Sequence, residues 1–228
     1  VAGSLVNDST KSIYVAHDNN ATTQYWAIGP GGISGTATSV GLWVYSNNKV
    51  NPVFRPNTND FTVSLWTVLR ESAKSFTYNT TGLDGLGHTI TLDAGFSDKT
   101  APLYVTGTGK VVVNHVTKSF GGKNAYSGPV TVKDTATLAI NAGKRLTTGA
   151  ISFAAGTTLA LPQAGTVAMD GNLTLGAGVT LKYTLSSGGQ TTLNVIGKAL
   201  TLPEDASDPI EISVVEKVGS PIKSATPY

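Results

Sequence analysis

The sequence predicts an all-β chain built mainly as a parallel β-helix of about six stacked rows. An aromatic-rich β segment precedes them. Three observations carry that expectation: a repeat near 21 residues, apolar residues at alternate positions within each short strand, and small or glycine residues between the strands. Val130-Thr-Val-Lys-Asp-Thr-Ala-Thr-Leu-Ala-Ile140 is one row, and Ile151 to Leu161 is the next. Leu173 to Tyr183 and Leu193 to Leu202 follow, with row starts 21, 22 and 20 residues apart. A fixed period in this range marks stacked supersecondary units.

Within a row, the first and third residues of a strand share a face and the middle one points away. Val130, Val132, Leu138 and Ile140 and their counterparts form the expected inner set. Thr, Ser, Ala, Lys and Asn form the outer set. Gly156, Gly176, Gly178 and Gly197 lie between strands, where a chain must corner. No row buries its apolar face alone. A stack does, with like residues about 4.8 Å apart. Leu138, Leu159, Leu181 and Leu202 are therefore expected to lie over one another. Upstream, Leu103 to Val113 fits the same eleven-residue template. A longer version is expected from Phe76, with Thr89-Ile-Thr-Leu92 as its second strand.

The chain of 228 residues is long enough for one large β domain or two small ones. Charged residues make up 13% and the net charge is +2, without runs. That balance argues against helical bundles and against nucleic acid as a partner. The absence of cysteine excludes disulfides, thiolate metal sites and a cysteine nucleophile. It is compatible with a secreted bacterial protein. No stretch of eighteen apolar residues offers a membrane span, and Val1-Ala-Gly-Ser-Leu5 lacks the pattern of a signal peptide, as a mature or trimmed form would.

Three parts are expected. Residues 1–70 hold all three Trp and read as a β cap or a small sandwich-like module. Leu42–Tyr45 and Phe61–Val68 are its strand candidates. Gly29–Gly32 and Ser46–Asn48 read as turns, and Pro52 and Pro56 as a loop or edge. Residues 71–205 are the repeats. Residues 206–228 are a terminal strand, Ile210 to Glu216, and a tail.

The rows also carry a family resemblance. Val105-Thr-Gly-Thr-Gly-Lys-Val-Val-Val113, Gly121-Gly-Lys-Asn-Ala-Tyr-Ser-Gly128 and Val130 to Ile140 together resemble the passenger-associated repeat of autotransporter proteins. The likeness covers about 36 residues and includes the Asn124-Ala-Tyr126-Ser-Gly128 turn. It implies a right-handed β-helix on a bacterial surface or in secreted material. The family turn that usually holds Gly is Asp134-Thr135-Ala136 here, and no membrane-barrel domain lies within these residues.

The candidate chemistry is thin. His17, His88 and His115 fall at no metal-ligand spacing. No G-x-S-x-G elbow supports a serine nucleophile. Asp84, Asp93 and Asp98 cluster around one long turn, Asp134 opens a corner and Asp170 precedes a row. Stacked corners would bring such carboxylates to one side, where they hold Ca²⁺ or form an acid/base pair. As turn residues they would instead accept backbone N–H bonds. Asp134-Thr135-Ala136 also matches the D-[ST]-[GA] element of aspartic proteases, whose two carboxylates share a proton. Trp26, Trp43, Trp66, Tyr14, Tyr25 and Tyr45 supply rings for sugar stacking, or for a core.

The expected function is a non-catalytic structural or adhesive module of a secreted or surface-exposed bacterial protein. Its partners would be host or environmental glycans or glycoproteins, and it needs no cofactor or metal. The competing classes are an extracellular hydrolase using paired carboxylates (glycan-cleaving, or an acid protease) and a glycan-binding module.

Overall fold

The computed structural model describes residues 3–6, 8, 14–18, 23–37, 39–45, 51–70, 81–97, 102–116, 126–185, 189, 191–195, 197–204 and 209–216. Side chains are described for fewer of these. Among the described residues every regular element is a strand, and the strand pairings of the ladders that follow are parallel. No helix among the described residues is long and apolar enough to cross a membrane.

Two ladders make up most of one 16-stranded sheet. The first runs through Asn51–Pro56, Thr81–Asp84, Leu103–Thr106, Val130–Val132, Ile151–Phe153, Leu173–Leu175 and Leu200–Thr201. The second runs through Phe61–Val63, Thr89–Leu92, Lys110–Val113, Thr137–Ile140, Thr158–Leu161, Thr180–Leu185 and Glu211–Glu216. A third set, Tyr14–Asp18, Ser39–Tyr45, Trp66–Arg70 and Phe96–Ser97, forms its own four-stranded sheet. Gly165–Ala168 and Thr191–Asn194 pair separately.

Register explains the core. Phe54, Leu83, Val105, Val132, Phe153 and Leu175 are consecutive partners in the first ladder. Phe61, Ile90, Val111, Leu138, Leu159, Leu181 and Ile212 are consecutive partners in the second. From Phe54 to Leu175 and from Phe61 to Leu159 these residues are buried. Each such apolar side chain contributes on the order of 1.5–3 kcal/mol by leaving water.

The stack of leucines expected from the repeat is thus present at 138, 159 and 181 but not at 202. Ile212 takes the next place. The frame of the last row differs because Leu193 belongs to Thr191–Asn194, which pairs with Gly165–Ala168. Leu200, not Leu193, lies beside Leu173. At the other end, the partner of Leu103 is Thr81, so Thr81–Asp84 is the first strand of the row expected to start at Phe76. Phe76 itself lies outside the described residues.

The early chain joins the same ladders. Thr23–Ser34 is a single long strand. Its first half pairs with Asn51–Pro56, while Ile33 pairs with Val63. The turn expected at Gly29–Gly32 is therefore a bend inside one strand. Gly32 sits there with φ of 63°, against the Thr62 carbonyl, where a β carbon has no room. Pro52 and Pro56 lie within a strand rather than a loop. Only Val53 and Phe54 of that strand pair with Thr81–Asp84, so the prolines' missing N–H groups cost no bond on that side. The expected Phe61–Val68 strand is two strands. It corners at Ser64–Leu65 and continues as Trp66–Arg70. Phe61, Val63 and Leu65 all point into the core, as their alternation requires. Residue 70 falls between Phe61–Val63 and Thr89–Leu92, which pair with each other across it. The terminal strand, Glu211–Glu216, forms as expected. Ser46–Asn48 and the tail lie outside the described residues.

Candidate functional site

Side chains at the corners between ladders carry what chemistry the chain offers. The corner after the first ladder is tightest. Gly107 turns there with φ of 78°, and in the next row Asp134 takes the equivalent place with φ of 60°. A side chain in this left-handed region is strained unless it bonds locally, and Asp is among the few that tolerate it. Asp134 accepts hydrogen bonds from the Thr106 hydroxyl and, at 3.2 Å, from the Gly107 N–H. The Thr106 hydroxyl first, and the Gly107 N–H second, hold its carboxyl below the ordinary range. From the preceding row, Asp84 accepts the Leu86 N–H at 3.1 Å. Its Oδ1 fills the space that a β carbon on Gly107 would need. Asp84 and Asp134 therefore converge on Gly107, one from each neighbouring row.

The corner after the second ladder holds a polar chain. Asn114 Nδ2 donates to Asp93 Oδ1 at 2.8 Å, and Asn141 Nδ2 donates to Asn114 Oδ1 at 3.1 Å. Beside it the His115 ring is buried, 3.0 Å from the Leu92 carbonyl through Nδ1, and rests on Gly95, where a β carbon would strike it. Burial pulls the His115 pKa down from 6.5, with the Leu92 bond opposing. Asp170 pairs with Arg145. Asp60 accepts the Thr89 N–H at 2.9 Å and lies 3.6 Å from His88 Nδ1. Tyr126, in the turn that carries the family resemblance, is buried, and burial pushes its phenol up.

Of the five aspartates singled out from sequence, the structure brings together Asp84 and Asp134. Asp93 and Asp170 are each engaged elsewhere. Asp98 lies outside the described residues. Each of the other four spends at least one carboxylate oxygen on a neighbouring donor. No group of three His, Cys, Asp or Glu that could hold a metal ion occurs among the described residues.

The aromatic residues divide. Trp26 is half-buried against the core, its ring centroid 5.5 Å from that of Phe54. Tyr25, next in sequence, is 55% exposed, and the Arg55 guanidinium lies 4.3 Å from its ring centre. Trp43 and Tyr45 lie on Ser39–Tyr45, and Trp66 begins the neighbouring strand. Tyr14 and His17 share Tyr14–Asp18. The side chains of these five are not among those described. Arg55 was not legible from sequence as an aromatic partner, because only the parallel pairing of Thr23–Ser34 with Asn51–Pro56 puts it beside Tyr25.

Comparison with family models, curated proteins and solved structures finds no match.

Proposed function

We propose that this chain is a non-catalytic structural or adhesive module of a secreted or surface-exposed bacterial protein, built as a right-handed parallel β-helix. The observation that carries the reading is the register from Phe61 through Leu138 to Ile212, in which each row supplies one step of a continuous apolar ladder. The chain visits first-ladder and second-ladder strands in strict alternation from Asn51 onward. Parallel connections of that kind are right-handed in nearly every known case. The likeness of residues 105–140 to the autotransporter repeat supports the bacterial surface as the setting. The carboxylates support a structural role, since they are committed to corners.

The geometry suits a low-charge rod that displays its long inter-row segments to glycans or glycoproteins. Two measurements test it. Small-angle scattering should give an elongated particle, and a compact sphere would reject the rod. A substrate screen with polysaccharides and casein at pH 4 and 7 should show no turnover above buffer.

One observation favours a hydrolase as a second reading: Asp84 and Asp134 approach the same residue from adjacent rows. A general-acid carboxyl needs a raised pKa, whereas Asp134 is shifted down. Turnover in the screen that is lost in Asp134→Asn would establish the hydrolase and remove the non-catalytic reading.

A further inference from the structure

Of the histidine side chains described, only His115 is buried, at 5% exposure. It lies just past Lys110–Val113, where that strand leaves the second ladder. The Leu92 carbonyl, in the row before, can only accept. The Nδ1 that lies 3.0 Å from it therefore carries the ring proton. A second proton has to enter at Nε2. That atom is closed off from solvent and faces Gly95, where a β carbon would come within 2.3 Å of it. Such a seat suits the neutral ring and penalises the imidazolium.

The charged groups around the ring belong to the rows on both sides. Burial acts most strongly and holds the His115 pKa under 6.5, with the Leu92 bond opposing it. Lys144, in the row after, adds to the effect of burial, and Asp93, in the row before, opposes it. Asp93 already accepts from Asn114 Nδ2 at 2.8 Å. Arg145 donates its N–H to the His115 carbonyl at 2.9 Å, and its guanidinium is on Asp170.

Three rows meet at this corner. The Asn114 N–H is given to the Leu92 carbonyl at 2.9 Å, and the Asn141 N–H to the Val113 carbonyl at 3.1 Å. Asn141 Nδ2 donates to Asn114 Oδ1. Farther on, Val116 bridges to Arg145, and Phe96–Ser97 pairs with Trp66–Arg70. All of these donors lie past Leu92, Val113 and Ile140, the last paired residues of their ladder strands. We propose that the corner is an acid-operated latch. A proton on Nε2 turns the imidazole out of its seat between Leu92 and Gly95. The bonds of residues 92–97, 114–116 and 141–145 then open while both main ladders stay paired. The latch rests on the geometry of this corner and holds whether or not the adhesive reading does.

The test is backbone hydrogen exchange of the full chain at pH 7.5 and 5.5, corrected for the intrinsic change in exchange rate. NMR titration of the imidazole accompanies it. Opening of the corner is expected to rise up to about tenfold at pH 5.5, since the released ring titrates near 6.5 and the seated one lower. Protection at Val130–Val132 and Thr158–Leu161 should not change. In His115→Gln, whose amide can donate to Leu92 but takes no charge, the rise should vanish. Gly95→Ala displaces the ring without acid, so the corner should already be open at pH 7.5. That variant and the wild-type titration keep the proposal falsifiable should His115→Gln misfold. Equal protection at the two pH values, a rise that survives His115→Gln, a Gly95→Ala corner as closed as wild type at pH 7.5, or an imidazole titrating at or above 6.5 would overturn it. So would loss of protection in the ladders together with the corner, because acid would then unfold the whole chain.

Discussion

Leu159 and Ile212 hold the same position in the same ladder, two rows apart. One is wholly buried and the other is two-thirds exposed. Their local sequences, Thr-Leu-Ala-Leu and Glu-Ile-Ser-Val, alternate alike. The middle of the chain and its last row thus differ not in pattern but in how many neighbours each row has. Among the described residues, a middle row is covered on both sides and the last on one. Burial in this architecture is a property of the stack rather than of the strand.

The largest expected effect tests this directly. Leu159→Ala should cost about 2–5 kcal/mol in denaturant unfolding, as large-to-small changes in a close-packed core do. Ile212→Ala should cost under about 1 kcal/mol, because it leaves no closed cavity. Similar losses at the two sites would mean that the last row is covered after all.

A second contrast lies two residues before each first-ladder strand. Gly128, Gly149 and Gly171 hold that place in the middle rows, and Lys198 holds it in the last. A β carbon on Gly171 would run into the Gly149 backbone, and one on Gly149 would run into Ser127 and Gly128. Gly171→Ala should therefore cost about 1–3 kcal/mol through forced backbone shifts. A Tm equal to wild type would show that the rows do not pack backbone to backbone there.

Asp134 sharpens the comparison within the middle rows. Asp134→Ala should lose about 1–2 kcal/mol, because alanine keeps the left-handed strain and loses the bonds to Thr106 and Gly107. Asp134→Gly, which relieves the strain, should lose less. If alanine and glycine behave alike, the backbone angle is not what the residue serves.

The smallest effect is a pH slope. The folded-state pKa of His115 lies below 6.5, so the unfolded chain takes up the proton first. Its contribution to stability is complete above that value and is lost as pH falls from 6.5 toward the folded-state pKa. Unfolding midpoints at pH 7.5 and 5.5 should differ more for wild type than for His115→Gln. An equal difference would place the titration elsewhere.

Much of the fold was legible because strand alternation and a repeat interval are both written locally. Val130 to Leu175 shows this best, since its corners are short and constant. Legibility failed where a corner lengthened. Between Leu173 and Leu200 the interval is 27 residues, and the extra strand Thr191–Asn194 imitates a row start through Leu193. Gly29–Gly32 misled in the opposite way, because a glycine cluster that ordinarily ends a strand here only bends one. The candidate site was partly legible: Asp134 stood out as the residue in a glycine's place. Its convergence with Asp84 on Gly107 joins residues 50 positions apart and needs the row between them.

The amino-acid sequence by itself determined that the chain is β throughout its described length, and which side chains of the repeated strands face inward. Period-two alternation and turn residues act over a few bonds and need no distant partner. Only the tertiary structure decided where the stack stops being covered, which aspartates meet, and that strands before residue 70 join the same ladders. Those outcomes depend on contacts between rows. A row's neighbours are set by the lengths of the connections, which local chemistry leaves free to vary.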